Sequence, residues 1–219
     1  MTAPPEAPRD CALCPRLSSF LAAHRLREPV WHNAPVRSFG SQQASLLIVG
    51  LAPGLKGANR TGRPFTGDYA GDLLYSTLIE FGLATGVFEA RADDSLQLPA
   101  TMITNAVRCV PPENKPTPAE IKTCRSFLTG RIDQLPNLKV MLALGRIAHE
   151  SILAALGQRQ RAFAFAHGAR HTLPLPGGGH VTLHDSYHCS RYNTNTRVLT
   201  PDMFRAVFDQ VRRYLETGS

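Results

Sequence analysis

Hydrophobic residues fall along this chain in two rhythms. Four short apolar runs, each bounded by Gly, Pro or polar residues, read as strands buried on both faces: Leu46–Leu51, Met102–Val107, Val140–Leu144 and His180–His184. Between them, apolar residues recur at three- and four-residue intervals, the spacing of one helix face. Leu73, Leu74, Leu78, Ile79 and Phe81 predict a helix over Tyr69–Leu83. A second helix is predicted over Thr117–Leu135, with Pro118 in its first turn and Pro136 just beyond its end. A third follows Gly145 over Arg146–Leu156. The last, Pro201–Thr217, places Phe204, Val207, Phe208, Val211 and Tyr214 on one face. Cys11–Arg27 is a further helix candidate, carrying Leu17, Phe20, Leu21 and His24. Pro174–Gly179 reads as a hairpin-like loop before the final strand.

Apolar strands alternating with helices predict an α/β fold: three layers, α/β/α, around a central four-stranded, mainly parallel sheet. A length of 219 residues suits one domain over 1–219 and is short for two. The Pro-rich, polar residues 1–10 are expected to be flexible. No apolar run approaches the roughly 20 residues that span a bilayer, and the N-terminus lacks the apolar stretch of a signal peptide. The expectation is a cytoplasmic protein with no membrane partner.

Charge and cysteine content sharpen this picture. Lys and Arg number 24 against 17 Asp and Glu, a net charge of +7 that favours approach to a polyanion. The five cysteines, an odd number, argue against a disulfide framework, so metal binding or burial must explain them. Cys11 and Cys14, with two residues between them, bring two thiols within reach of one centre. By donor type, a four-thiolate site suits zinc or a [4Fe–4S] cluster equally.

In open parallel sheets, ligands bind beyond the carboxyl ends of the strands. The unusual residues collect there. Gly50-Leu-Ala-Pro-Gly54 follows the first strand, and the loop after it carries Lys56, Gly57, Arg60, Gly62, Arg63 and Gly67. Such a loop gains little from apolar burial, so it is expected to be mobile or held by a ligand. The glycines match neither a phosphate-binding loop ending in Gly-Lys-Ser/Thr nor a dinucleotide fingerprint. Asn105 interrupts the second strand, Gly145-Arg146 caps the third, and His184 to Thr196 follow the fourth.

These segments together resemble the iron–sulfur uracil-DNA glycosylases. Gly50-Leu-Ala-Pro-Gly54, Thr61-Gly-Arg-Pro-Phe65 and Asp68 are similar to the family's first motif. Ile103-Thr-Asn-Ala-Val-Arg-Cys109 with Pro111-Pro112 is similar to its second strand and cluster segment. His188-Cys-Ser-Arg-Tyr-Asn193 resembles its closing motif. A-type (family 4) relatives carry Glu after the first glycine. Here Leu51 and Ala52 are nonpolar, as in the B type, family 5. Two positions depart from the pattern: Cys189, where relatives often have Pro, and Arg197, where many have Gly.

The resemblance implies excision of uracil, and of other deaminated bases such as hypoxanthine, from DNA. It implies a [4Fe–4S] cluster on Cys11, Cys14, Cys109 and Cys124, structural in role, with Cys189 a free thiol. A glycosylase must turn the nucleotide out of the stack into a pocket that reads its edge. Phe65 is the candidate stacking face, Asn105 the amide for the base edge, and backbone amides near Ala52 a further contact. Asn114 is a weaker second amide. His188 is expected to donate to the departing base, and Asp68 to stabilise positive charge on the sugar and orient water. Asp72 competes for the acidic role, and Asp68 also suits a helix cap. Lys56, Arg60, Arg63 and Arg197 are expected at phosphates, and Arg191, Tyr192 and Asn193 as a wedge filling the vacated stack. His184 and His188, at a strand-to-loop junction, are not expected to share a metal. DNA must enter an open cleft, so a monomer is expected. The alternative is a non-enzymatic iron–sulfur module that binds DNA or senses oxidation.

Overall fold

The computed structural model describes residues 4–218. Its elements in chain order are α1 (Pro15–Arg27), β1 (Phe39–Gly40), β2 (Leu46–Gly50), α2 (Ala58–Thr61), α3 (Tyr69–Glu80), β3 (Thr101–Asn105), α4 (Pro118–Asp133), β4 (Val140–Leu144), α5 (Arg146–Ala155), β5 (Arg170–Pro174), β6 (His180–Ser186), α6 (Arg191–Asn195) and α7 (Pro201–Thr217).

The strands form one six-stranded sheet in the order β1-β3-β2-β4-β6-β5. The inner four, β3, β2, β4 and β6, run parallel. They are the four apolar runs of the sequence. The edge strands β1 and β5 pair antiparallel, so the sheet is mixed and has two strands more than the expected four. The omission has a physical cause. β1 has only two residues, and β5 buries only Leu173 fully among Arg170, His171, Thr172 and Pro174. An edge strand needs no continuous apolar run, so periodicity does not reveal it.

Alternation along β2 divides the core. Leu46 and Ile48 pack with Leu74, Leu78, Phe204 and Phe208 of α3 and α7. Leu47 and Val49 face the other way, onto Leu128, Ile132, Ile152 and Leu153 of α4 and α5. The three-layer α/β/α arrangement follows directly. The chain passes from β2 to β3 on one side and then crosses to β4 on the other side of β2. This reversal opens a crevice at the carboxyl end of β2, where Gly50 lies in register with Asn105 of β3.

Helix ends follow the sequence signals. Thr117 forms a reciprocal capping box with Glu120, Thr200 caps α7 through Met203 N, and Asp68 caps α3 through Gly71 N. α1 begins at Pro15, not Cys11, which leaves the Cys11–Cys14 segment as non-helical backbone before the helix.

The expected flexible stretch 1–10 divides at the described residues. Residues 1–3 lie outside them, and Glu6 anchors the remainder. Its carboxylate pairs with Arg131 at 2.6 Å and with Arg108 at 3.4 Å. Burial raises the pKa of Glu6, but the Arg108 charge and the bonds from Ser38 and Arg131 outweigh it and hold the group below the usual carboxylate range.

Candidate active site and cysteine centre

A cavity of about 510 Å³ fills the crevice at the end of β2. Its lining brings together Ala52, Phe65, Asp68, Asn105, Asn114, His188 and Arg191, residues up to 139 positions apart in sequence (Arg191 less Ala52).

Phe65 has φ 51°, a left-handed conformation rare for a bulky residue. Two contacts enforce it. The Tyr75 hydroxyl donates to the Pro64 carbonyl at 2.7 Å. Gly71 lets α3 approach so closely that a Cβ there would stand 1.8 Å from the Phe65 carbonyl oxygen. The Phe65 ring lies against Gly50, where a Cβ would come within 2.6 Å of the ring and 2.5 Å of the Asn105 Oδ1. Gly50 therefore gives both side chains room to face the cavity.

Asn105 is 3% exposed, and among the described residues its amide has no hydrogen-bond partner. A buried amide left open in this way is available to a ligand edge. The His188 ring stacks near Phe65, with centroids 6.1 Å apart and planes at 29°. Burial holds His188 below the ordinary histidine range, against a weaker opposing pull from the Asp68 charge. At neutral pH the ring is therefore neutral, with one N–H to donate.

Asp68 serves two surroundings with two oxygens. Oδ1 accepts from Gly71 N at 3.2 Å, and Oδ2 lies over Gly54 and Gly57, where a Cβ would stand 3.1 Å and 2.5 Å away. Capping and a cavity-facing carboxylate oxygen thus coexist. Asp72 points to solvent and does not line the cavity.

The outer rim differs in part from expectation. Lys56, Arg60, Tyr192 and Arg197 are exposed. Arg191 is exposed too, with its guanidinium 5.5 Å from the Tyr69 ring. Arg197 has φ 58°, which accounts for glycine being apt at this position.

Arg63 is a correction. It is 4% exposed, binds Asp94 through both terminal nitrogens at 2.7 Å, and lies among the rings of Phe39, Tyr75 and Phe88. A guanidinium enclosed in this way cannot reach a phosphate. Asn193 is a second correction. Its Nδ2 donates to the His188 carbonyl at 2.8 Å, which turns this side chain inward and away from the expected wedge.

The loop after β2, expected to be mobile or ligand-held, is held by protein. Asn59 Nδ2 donates to Asn33 Oδ1 at 2.9 Å, and Arg63 Nε donates to Thr66 Oγ1 at 2.9 Å. The signal for this lay outside the loop, in Asn33 and Asp94. No local pattern marks those residues as its partners.

The four cysteines Cys11, Cys14, Cys109 and Cys124 line one small enclosed cavity with Ala7, Leu17 and Phe127. None is in a disulfide. Burial pushes the Cys109 thiol up to about 12 and the Cys124 thiol up to about 11, and neighbouring sulfurs add to the rise at Cys109. Thiolates here require a cationic centre among them. Around one tetrahedral zinc, sulfurs would stand roughly 3.8 Å apart, given bonds of about 2.3 Å. A small cavity ringed by four thiols fits a four-thiolate metal centre, zinc or iron–sulfur. The Arg108 backbone N–H donates to Cys124 Sγ at 3.3 Å, the kind of bond that supports a metal-bound sulfur. Cys189 stands apart, fully buried, with its thiol directed to the Ala70 carbonyl at 3.5 Å.

Known proteins resemble this chain over most of its length. The family model described as "Uracil DNA glycosylase superfamily" matches residues 37–212. A type-5 uracil-DNA glycosylase of Thermus thermophilus is 46% identical over 93% of this chain and 93% of its own length. One from Pyrobaculum aerophilum is 34% identical over 90% and 86%. A type-4 uracil-DNA glycosylase of Pyrobaculum aerophilum is 31% identical over 69% and 63%. The type-5 relatives match over more of the chain, in keeping with nonpolar Leu51 and Ala52 in the first motif. This chain belongs to the uracil-DNA glycosylase superfamily and, within it, to the type-5 branch.

Proposed function

We propose that this chain hydrolyses the N-glycosidic bond of uracil in DNA and leaves an abasic site. The observation that carries this reading is the cavity that joins Phe65, Asn105, His188 and Asp68 at one strand-end crevice. A nucleotide turned out of the helix enters it, at a cost of a few kcal/mol for unstacking. Phe65 stacks the base, the open amide of Asn105 pairs with its edge, and backbone amides at Ala52 add to recognition. Neutral His188 donates to the oxygen on which negative charge grows as the bond breaks. Asp68 Oδ2 faces the positive sugar and orients the attacking water. Asn193 is the positioning residue for His188. Lys56, Arg60 and Arg191 contact phosphates, and Tyr192 enters the vacated stack. The chain acts as one domain and as a monomer in the cytoplasm. Among the described residues no helix is long and apolar enough to cross a membrane. The non-enzymatic alternative leaves the open amide and the neutral imidazole without purpose.

The test uses duplexes with one labelled uracil opposite G or A, without added metal, followed by alkaline cleavage. Scission at the uracil is expected, and none would reject the reading. Parallel duplexes with hypoxanthine test the wider base range, which the same Asn105 amide would read.

We assign Cys11, Cys14, Cys109 and Cys124 as ligands of a [4Fe–4S] cluster, which ties the N-terminal segment to the loop after β3. Cys124→Ser is expected to lose iron and lower the thermal midpoint. A variant that keeps the full iron content would remove Cys124 from the ligand set.

The lowered pKa of His188 gives a pH prediction. The donor form is the neutral ring, so excision should fall only as pH drops below the ordinary histidine range and should not decline as pH rises through about 6.5. A decline centred near 6.5 on raising the pH would mean that the imidazolium is the active form.

A further inference from the structure

A second cluster of titratable side chains lies outside the cavity. Asp185, near the end of β6, has a wholly buried carboxylate. Its Oδ1 meets His149 Nδ1 of α5 at 2.8 Å, and its Oδ2 meets His171 Nε2 of β5 at 3.3 Å. None of the three lines the Phe65–Asn105–His188 cavity.

Hydrogen-bond bookkeeping makes this cluster unusual. His149 Nε2 lies 3.0 Å from the Phe163 carbonyl oxygen. A carbonyl only accepts, so the proton resides on Nε2. In a neutral ring, the Nδ1 lone pair then points at a carboxylate, and two acceptors facing each other repel. A cation must lie between them. Among the described residues, no Lys or Arg ion pair reaches Asp185. The cation is therefore either a proton shared between Nδ1 and Oδ1 or a metal ion.

Three features favour the metal. The ligand atoms of His149, His171 and Asp185 all lie within 4.8 Å of one another. The His171–Asp185 spacing of 3.3 Å matches the roughly 3.3 Å between ligands around a tetrahedral ion with bonds of about 2.0 Å, and the 2.8 Å between His149 and Asp185 has to open by about half an ångström to admit one. A ring N–H given to a backbone carbonyl is the usual support of a metal-bound histidine. Two imidazoles and one carboxylate suit zinc and its neighbours, not calcium or magnesium. The His171 side chain is 15% exposed and leaves a route for the ion and a water ligand.

We propose that His149, His171 and Asp185 hold a divalent transition-metal ion of the zinc class, separate from the cysteine centre. The ion clips α5, β5 and β6 together and, through Phe163, fixes the segment that precedes β5.

The test is a cobalt(II) titration of the protein as purified, with its cysteine centre loaded. Uptake of about one equivalent is expected, with ligand-field bands, no sulfur-to-cobalt charge transfer, and displacement by zinc. Zinc at a hundredfold excess over Kd should raise the thermal midpoint by roughly 5 °C. His171→Ala, at the open edge, should fold, keep its iron, and lose both the cobalt bands and the zinc-dependent rise. Asp185→Asn is the second variant and should lose the same signals. No cobalt uptake by the wild-type protein, uptake unchanged in His171→Ala, or a sulfur charge-transfer band would overturn the proposal and leave a proton as the bridging cation.

Discussion

Asp68→Asn is expected to slow uracil excision at least about tenfold while DNA binding holds. The substitution separates the two tasks of this carboxylate. An amide oxygen still accepts from Gly71 N, so the start of α3 is preserved. What disappears is the negative charge on the atom that lies over Gly54 and Gly57 at the cavity wall. A charge that matters only as the sugar becomes positive alters the rate and not the affinity. Asp72→Asn, one turn further along α3 and exposed, is the control and should match the wild-type rate. Single-turnover rates and binding of an abasic-site duplex measure both quantities. If Asp68→Asn cleaves at the wild-type rate, Asp68 is a helix cap and nothing more.

Arg63→Leu should destabilise the protein by about 3–5 kcal/mol, because it leaves the Asp94 carboxylate buried without its cation. The Asp94 side chain has no exposed surface, and Glu89 N and Leu96 N are its only other donors among the described residues. The Arg63 bonds hold Asp94 down to about 2, well below its ordinary value of 3.8. The sign follows: this pair contributes stability above about pH 4, and the contribution fades as pH falls toward 2. The double variant Arg63→Leu, Asp94→Leu should recover much of the loss, since an apolar pair carries no unpaired charge. Urea unfolding of these three proteins and of the Asp94→Leu single variant gives the coupling directly. The salt dependence of DNA binding should be unchanged in any variant that still folds. A shallower slope would instead mean that Arg63 neutralises a phosphate.

The chain's linear pattern determined a great deal. Its four inner strands are short runs apolar on both faces, and its long helices carry apolar stripes. Both are local periodicities imposed by burial, so the layered α/β/α arrangement was legible. So was the set of residues that meets at the crevice. Asn105 inside an apolar strand, glycines at Gly50 and Gly54, and Asp68 before a helix are residues that burial alone does not favour. In a parallel sheet, strand ends converge on one crevice, and these residues converge with them.

Tertiary structure decided what depends on partners distant in the chain. β1 and β5 are strands because their neighbours offer free edges, not because of their own composition. Arg63 is buried because Asp94 and three aromatic rings enclose it, although in sequence it looks no different from exposed Arg60. Asn193 turns inward because the His188 carbonyl is there to accept its bond. His149, His171 and Asp185 come together only when α5 packs beside the β5–β6 hairpin. Periodicity records which face of an element is buried. Whether a polar side chain on that face meets solvent, an ion pair or another donor depends on long-range packing, which no window of sequence contains.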